Sequence, residues 1–175
     1  PVIADGDTGY GGLLNVDHTV RGYERAGACA IQLEDQVSPK KCGHTPGRKV
    51  IPVEDMVSKI KVALTARESE DFLVIARTDS RTGLGIEEAI RRGQAFADAG
   101  ADVIFIEAPE SVDEMVEIGR RIDKPLLANI VVGGSTPLLS INELSDIGYQ
   151  LVIFPGSAFL AMGAAVESVY THIKS

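Results

Sequence analysis

Three stretches of this sequence hold residue types able to do chemistry. Asp5 and Asp7, in ADGDTGYGG, lie two apart on an extended segment, so both carboxylates can emerge on one side while Gly6 keeps the space between them clear. Paired carboxylates invite a hard cation, and Mg2+ takes few protein oxygens and leaves positions for water or ligand oxygens. Asp-x-Asp also occurs in ordinary turns, and Gly9, Gly11 and Gly12 beside it fit a simple loop equally well. In SPKKCGHTPGRK, the Cys42 thiol is flanked by Lys40 and Lys41 with His44 two residues on, a field that favours thiolate and suits a proton carrier. In IARTDSR, Arg77 stands at the end of a strand-like run, where its planar fork of donors suits a carboxylate.

Each stretch has a plainer reading. Pro39, Gly43, Pro46 and Gly47 exclude helix and strand around Cys42, which predicts a loop able to close over a ligand, or else a merely solvated run. Zinc held by Cys42 and His44 lacks the second ligand pair that such sites need. Arg77 could equally form a buried ion pair with Glu34 or Glu107, and the two roles are compatible. Cys29, in an apolar run, is expected in the core, because an unpaired cysteine behaves as a small hydrophobe.

The elements that position these residues are legible as repeated βα units. Short runs rich in Val, Ile and Leu predict strands at Val2–Ala4, Ala28–Leu33, Phe72–Ala76, Val103–Ile106, Pro125–Ala128 and Leu151–Phe154. Apolar residues at helical spacing predict helices at Thr19–Ala26, Val53–Arg67, Ile86–Ala99, Val112–Arg121, Ile141–Ile147 and Ser157–Ile173. ERAGACAIQLED and ADAGADVIFIEA both write a helix end, a glycine with positive φ and a strand. Polar residues fall where successive strands end: Asp5 and Asp7, Glu34 and Asp35, Arg77 and Asp79, Glu107, Asn129. In a parallel barrel or an open doubly wound sheet those ends face the active site, so the pattern predicts a parallel α/β fold, with the (β/α)8 barrel as the expected form. Six strands are two short of such a barrel. The expectation is one partial barrel domain over 1–175, with the first strands and the C-terminal helices lying outside this sequence.

With 45% hydrophobic and 24% charged residues among 175, the chain can bury a substantial core. A net charge of -8 and a pI near 4.9 argue against nucleic acid, whose binders neutralise phosphates with clustered Lys and Arg. Two cysteines make no disulfide framework, and no apolar run approaches the roughly 20 residues that cross a bilayer. Neither nucleic acid nor membrane is expected as a partner, and the expected compartment is the cytoplasm or an organelle matrix.

In order along the chain, DGDTGYGG, LEDQ, KKCGH, IARTD and IEAP resemble the isocitrate lyase and phosphoenolpyruvate mutase superfamily, and KKCGH resembles its lyase branch. The resemblance implies Mg2+, or Mn2+, around Asp5 and Asp7, with Glu34 acting nearby through water. It implies Cys42 as catalytic acid, Lys40 and His44 tuning its thiolate, Gly43 as a backbone donor, and Arg77, Glu107 and Asn129 as substrate-binding residues. The implied chemistry is retro-aldol or retro-Claisen cleavage of a small 2-hydroxy di- or tricarboxylic acid, of the 2,3-dimethylmalate or 2-methylisocitrate type, releasing a ketoacid. Phosphonopyruvate or carboxyphosphonoenolpyruvate mutases or hydrolases and oxaloacetate decarboxylases share the superfamily's fold and metal site and form the alternative, and a non-catalytic barrel is a third reading. Leu160 stands where 2-methylisocitrate lyases carry a substrate-gripping arginine, and 129–134 (NIVVGG) also departs from them, which tilts the reading toward alkylmalates. A homodimer or homotetramer is implied by the resemblance alone.

Overall fold

The computed structural model describes residues 1–43, 45 and 47–174. Six parallel strands hydrogen-bond in chain order: β1 (Ile3–Asp5), β2 (Ala30–Glu34), β3 (Leu73–Thr78), β4 (Val103–Ile106), β5 (Leu126–Asn129) and β6 (Tyr149–Ile153). The sheet curls into part of a barrel, as the βα pattern predicts. Between the strands run α1 (Leu13–Arg25), α2 (Val53–Ala66), α3 (Arg81–Leu84), α4 (Ile86–Asp98), α5 (Val112–Arg121) and α6 (Ile141–Asp146), and α7 (Ser157–Lys174) follows the last strand.

β2, β4 and β5 are buried along their whole length; β4 is an unbroken apolar run, while β2 also buries Gln32 and Glu34 and β5 also buries Asn129. Side chains alternate between two faces. Ile31, Leu33, Val74, Ala76, Ile104 and Ile106 face the helices, packing with Val16, Val20, Met56, Ile60, Ile90, Phe96, Met115 and Ile118. Ala30, Ile75, Val103, Phe105 and Leu127 form a smaller cluster on the inner face. Burying each large apolar side chain contributes roughly 1.5–3 kcal/mol, so this double layer is a stiff platform. Stepping by two from the inner cluster leads to Glu34 from Ala30, Arg77 from Ile75, Glu107 from Phe105 and Asn129 from Leu127. The strand period alone therefore brings four polar side chains onto the inner face at one rim.

Differences from the sequence reading have local causes. α1 begins at Leu13 rather than Thr19, because Asn15 accepts the Gly12 N–H at 3.2 Å and completes a cap where the glycines suggest loop. β3 runs past Ala76 to Thr78 because Arg77 and Thr78 keep register with Phe105 and Ile106. α3 is a single turn with no apolar periodicity to announce it. Gly27 and Gly100, at φ +89° and +103°, end α1 and α4 as expected. Cys29 is exposed, against expectation, since it precedes β2 and engages its neighbours through backbone alone, donating to Val2 and accepting from Leu73.

Candidate active site

The rim opens at the end of β1. Gly6 donates its N–H to the Gln32 carbonyl at 2.9 Å, and a Cβ there would meet the Ile31 side chain at 2.9 Å, so only glycine lets the chain turn this tightly against β2. Asp7 sits at φ +46°, a left-handed conformation that aspartate tolerates better than most residues, and its N–H bonds the Asp5 carboxylate at 3.0 Å. Into this turn reaches Lys40, whose Nζ lies 2.7 Å from Asp7 Oδ1 and 3.6 Å from Glu34 Oε2. Burial works to lower the Lys40 pKa, but Asp7 and the charges of Glu34 and Asp5 outweigh it, so the pKa is raised. These carboxylate partners of Lys40 were not assigned from sequence.

Glu34 is fully buried, and neither of its oxygens has a hydrogen-bond partner. Burial is the main cause that pushes its pKa up to about 7; Arg77 and Lys40 pull it down, Asp79 and Asp5 push it up. Arg77 is buried and packs over the Phe105 ring at 4.9 Å. Its Nε and Nη2 each donate to Asp79 at 2.9 Å, while Glu34 and Glu107 stand back at 3.6 and 3.7 Å. Burial opposes the Arg77 charge, yet Glu107, Asp79 and Glu34 together raise its pKa further. The ion-pair alternative thus has its main partner in Asp79, two residues on along the same strand face. That i, i+2 spacing in RTD is a signal the sequence reading passed over. Asn129 donates to both Glu107 oxygens at 3.2 and 3.3 Å and keeps its own Oδ1 without a partner.

The KKCG segment lies over these groups. Gln36 clasps its backbone, accepting from the Lys41 N–H at 3.0 Å and donating to the Lys41 carbonyl at 2.9 Å. The loop's base is closed by an antiparallel bridge between Gln36 and Val50 and by the Val37 N–H donating to Lys49 at 2.8 Å. Gly43 is buried against Glu107 Oε1 and Arg77 Nη2, so tightly that a Cβ would overlap both. Cys42, beside it, is exposed. His44, singled out from sequence, lies outside the described residues.

Two residues with buried side chains went unremarked in the sequence. Arg48, with 4% of its side chain exposed, donates to Asp79 Oδ1 at 3.2 Å and to Thr82 Oγ1 at 2.5 Å. Arg92 donates to Asp35 at 2.9 Å, and Asp35 in turn accepts from the Asp79 N–H at 2.9 Å and the Thr78 hydroxyl at 2.7 Å, fixing the end of β3. Arg92 hides within the polar face of α4, and nothing in the sequence distinguishes it from Arg91.

Among the described residues no three His, Cys, Asp or Glu side chains form a ready metal shell. Mg2+ asks for less, usually one or two carboxylates with water completing its sphere. The donors fit it: hard oxygens at Asp5 and Asp7, a buried carboxylate without hydrogen-bond partners at Glu34, and a cationic group, Lys40, already drawn among them.

The phosphoenolpyruvate phosphomutase family model matches residues 1–174. A 2,3-dimethylmalate lyase of Eubacterium barkeri is 51% identical over all of this chain and 61% of its own length. A 2-methylisocitrate lyase of Aeropyrum pernix is 50% identical over 99% of this chain and 56% of its own. The chain thus spans about three-fifths of the length of the curated relatives it matches. A crystal structure of 2,3-dimethylmalate lyase superposes with a TM-score of 0.95 at 40% identity, over 99% of this chain and 60% of that one. Phosphonopyruvate hydrolase in complex with oxalate and Mg2+ superposes with a TM-score of 0.83 at 36% identity, over 99% and 60%.

Proposed function

The chain belongs to the phosphoenolpyruvate mutase and isocitrate lyase superfamily, and from that premise we propose that it carries the site of a divalent-metal-dependent carbon-carbon lyase. Its substrate is a small 2-hydroxy di- or tricarboxylic acid of the 2,3-dimethylmalate or 2-methylisocitrate kind. The observation that supports the reading is the close seat of Gly43 on the buried Arg77 and Glu107, with the thiol-bearing Cys42 next to it in the chain. Residues 1–175 are read as one partial (β/α)8-barrel domain.

Asp5 and Asp7 would hold Mg2+, or Mn2+, with Glu34 reaching it through water; the ion would polarise the hydroxyl and carboxylate oxygens of the substrate. Arg77, fixed by Asp79, offers positive charge to a substrate carboxylate, with Glu107, Asn129 and the Gly43 N–H orienting the rest. Glu34, whose pKa burial brings to about 7, is suited to take the hydroxyl proton near neutral pH. As the bond between the hydroxyl-bearing carbon and its neighbour breaks, its electron pair passes to the carbon beside the departing carboxylate. Cys42 Sγ then gives its proton to that carbon, with Lys40 and His44 tuning the thiol. The hydroxyl-bearing carbon leaves as a ketoacid. Leu160, half exposed on the first turn of α7, offers no cation for a third carboxylate, which favours alkylmalates.

No helix among the described residues is long and apolar enough to cross a membrane, and a cytoplasmic or organelle-matrix setting is part of the proposal. A homodimer or homotetramer is the proposed assembly, carried over from the family resemblance alone. The test is ketoacid release from alkylmalates, isocitrates, oxaloacetate and phosphonopyruvate, with and without EDTA. Release from an alkylmalate or 2-methylisocitrate that is abolished by EDTA and by Cys42→Ser supports the lyase. Turnover of phosphonopyruvate alone, or full activity in Cys42→Ser, overturns it.

A further inference from the structure

Arg48 is a cation on the return leg of a loop, yet only 4% of its side chain is exposed. A charge is costly to bury, and an arginine on a loop could swing into water, so the contacts that keep it in need a reason. It has two: Nη1 reaches Asp79 Oδ1 at 3.2 Å and Nη2 reaches Thr82 Oγ1 at 2.5 Å. The same Asp79 oxygen accepts from Arg77 Nη2 at 2.9 Å, and the other from Arg77 Nε at 2.9 Å. One buried carboxylate therefore stands between two guanidinium groups. The same Nη2 of Arg77 also carries the tip of the loop, for a Cβ at Gly43 would overlap it and Glu107 Oε1. The loop of residues 37–49 thus grips the end of β3 twice, at its tip through Arg77 and at its base through Arg48, and Asp79 joins the two grips.

We propose that Arg48 is a positioning residue which, through Asp79, holds Arg77 in its ligand-facing orientation and keeps the loop seated on it. The inference rests on the lyase reading of the site, but its mechanical part does not require turnover. Asp79 is a single carboxylate with two oxygens, and the Nε and Nη2 edge of Arg77 occupies both. Without Arg48, Asp79 loses the second cation that fixes its rotamer, and Arg77 gains freedom to turn toward Glu34 or Glu107, which lie 3.6 and 3.7 Å away. A ligand carboxylate then meets a misdirected guanidinium, and Gly43 loses the flat surface it packs on.

The experiment compares the wild-type protein with Arg48→Met, Arg48→Lys and Thr82→Val. Three quantities are read: oxalate affinity in Mg2+ by calorimetry, trypsin cleavage after Lys41, and KM against kcat for whichever acid the protein turns over. Loss of a charged, buried hydrogen bond predicts that Arg48→Met weakens oxalate and raises KM on the order of ten- to a hundredfold. Cleavage after Lys41 should quicken by a similar factor. Arg48→Lys, which can still reach Asp79, should recover part of both effects, and Thr82→Val should show several-fold changes only. If Arg48→Met does not fold, Arg48→Lys and Thr82→Val decide, and wild-type oxalate affinity with wild-type cleavage in both sinks the proposal. Wild-type values in a folded Arg48→Met sink it as well. A wild-type protein that cleaves no carbon-carbon bond, with variants that still release the loop, would remove the lyase reading and leave the Arg48 coupling standing.

Discussion

Replacing Glu34 by glutamine should stabilise the metal-free protein, by an amount that grows with pH. The side chain is fully buried with no hydrogen-bond partner, and its pKa rises from 4.5 to about 7 on folding. The sign follows from proton counts: between these values the folded state holds a proton that the unfolded state has lost, so stability declines as pH rises from 4.5 through 7. At 1.36 kcal/mol for each pKa unit, the ionised carboxylate costs the fold about 3 kcal/mol above pH 7. Glutamine stays neutral and can turn its carbonyl oxygen to the place where Oε2 meets Lys40 and Arg77, but its NH2 is then buried without an acceptor, which returns about 1 kcal/mol. The net gain of about 2 kcal/mol at pH 8 corresponds to roughly 4–8 °C in Tm for a chain of this size, and the gain should vanish near pH 5. Thermal unfolding of both proteins in EDTA at pH 5 and pH 8 measures this directly. Adding Mg2+ at pH 8 should reverse the order, since an ion bound near Glu34 favours its ionised form and stabilises only the wild type in proportion. A Tm difference that is the same at both pH values would refute the claim that Glu34 is buried without adequate compensation.

Gly43→Ala should lower kcat about a hundredfold while leaving Tm nearly unchanged. The added Cβ overlaps Glu107 and Arg77, which are pinned by Asn129 and Asp79, so the exposed loop must retreat by about an ångström; steady-state rates and a melting curve check both halves. Arg92→Met should cost about 3–5 kcal/mol in urea unfolding, because it strands the buried Asp35 charge that accepts from Arg92 at 2.9 Å. A cost below about 1 kcal/mol there would mean that Asp35 is compensated by its other donors.

Most of the framework was readable from periodicity. Six strands and six helices announce themselves because each buries a continuous run or a stripe, and the helix-ending glycines Gly27 and Gly100 mark two turns. The rim was readable too, since parity along four strands dictates that Glu34, Arg77, Glu107 and Asn129 share a face with the inner cluster. What was hidden depends on partners distant in sequence. Lys40 reads as a neighbour of Cys42, but its ammonium engages Asp7, which lies far back along the chain. Arg48 reads as one more basic loop residue, and only the third dimension brings it to Asp79. Cys29 misled for the opposite reason: an apolar neighbourhood in sequence sat at a strand's beginning, before the helices cover it.

The charge pattern of the rim accounts for several of these features together. Among the described residues, the carboxylates of Asp5, Asp7, Glu34, Asp79 and Glu107 outnumber the cations Lys40, Arg48 and Arg77 that lie among them. In a low-dielectric site such an excess must be met by protonation or by a cation, because Coulomb terms there are only weakly screened. Without an added cation the fully buried Glu34 keeps its proton up to about pH 7, chiefly because burial disfavours its charged form, with Asp79 and Asp5 adding to that push. A divalent ion at Asp5 and Asp7 would add positive charge beside Glu34 and release that proton, so metal binding and the proposed readiness of Glu34 to act as a base would become one event. Lys40 does not do this: its single ammonium, shared between Asp7 and Glu34 at 2.7 and 3.6 Å, is already in place where the Glu34 pKa stands near 7.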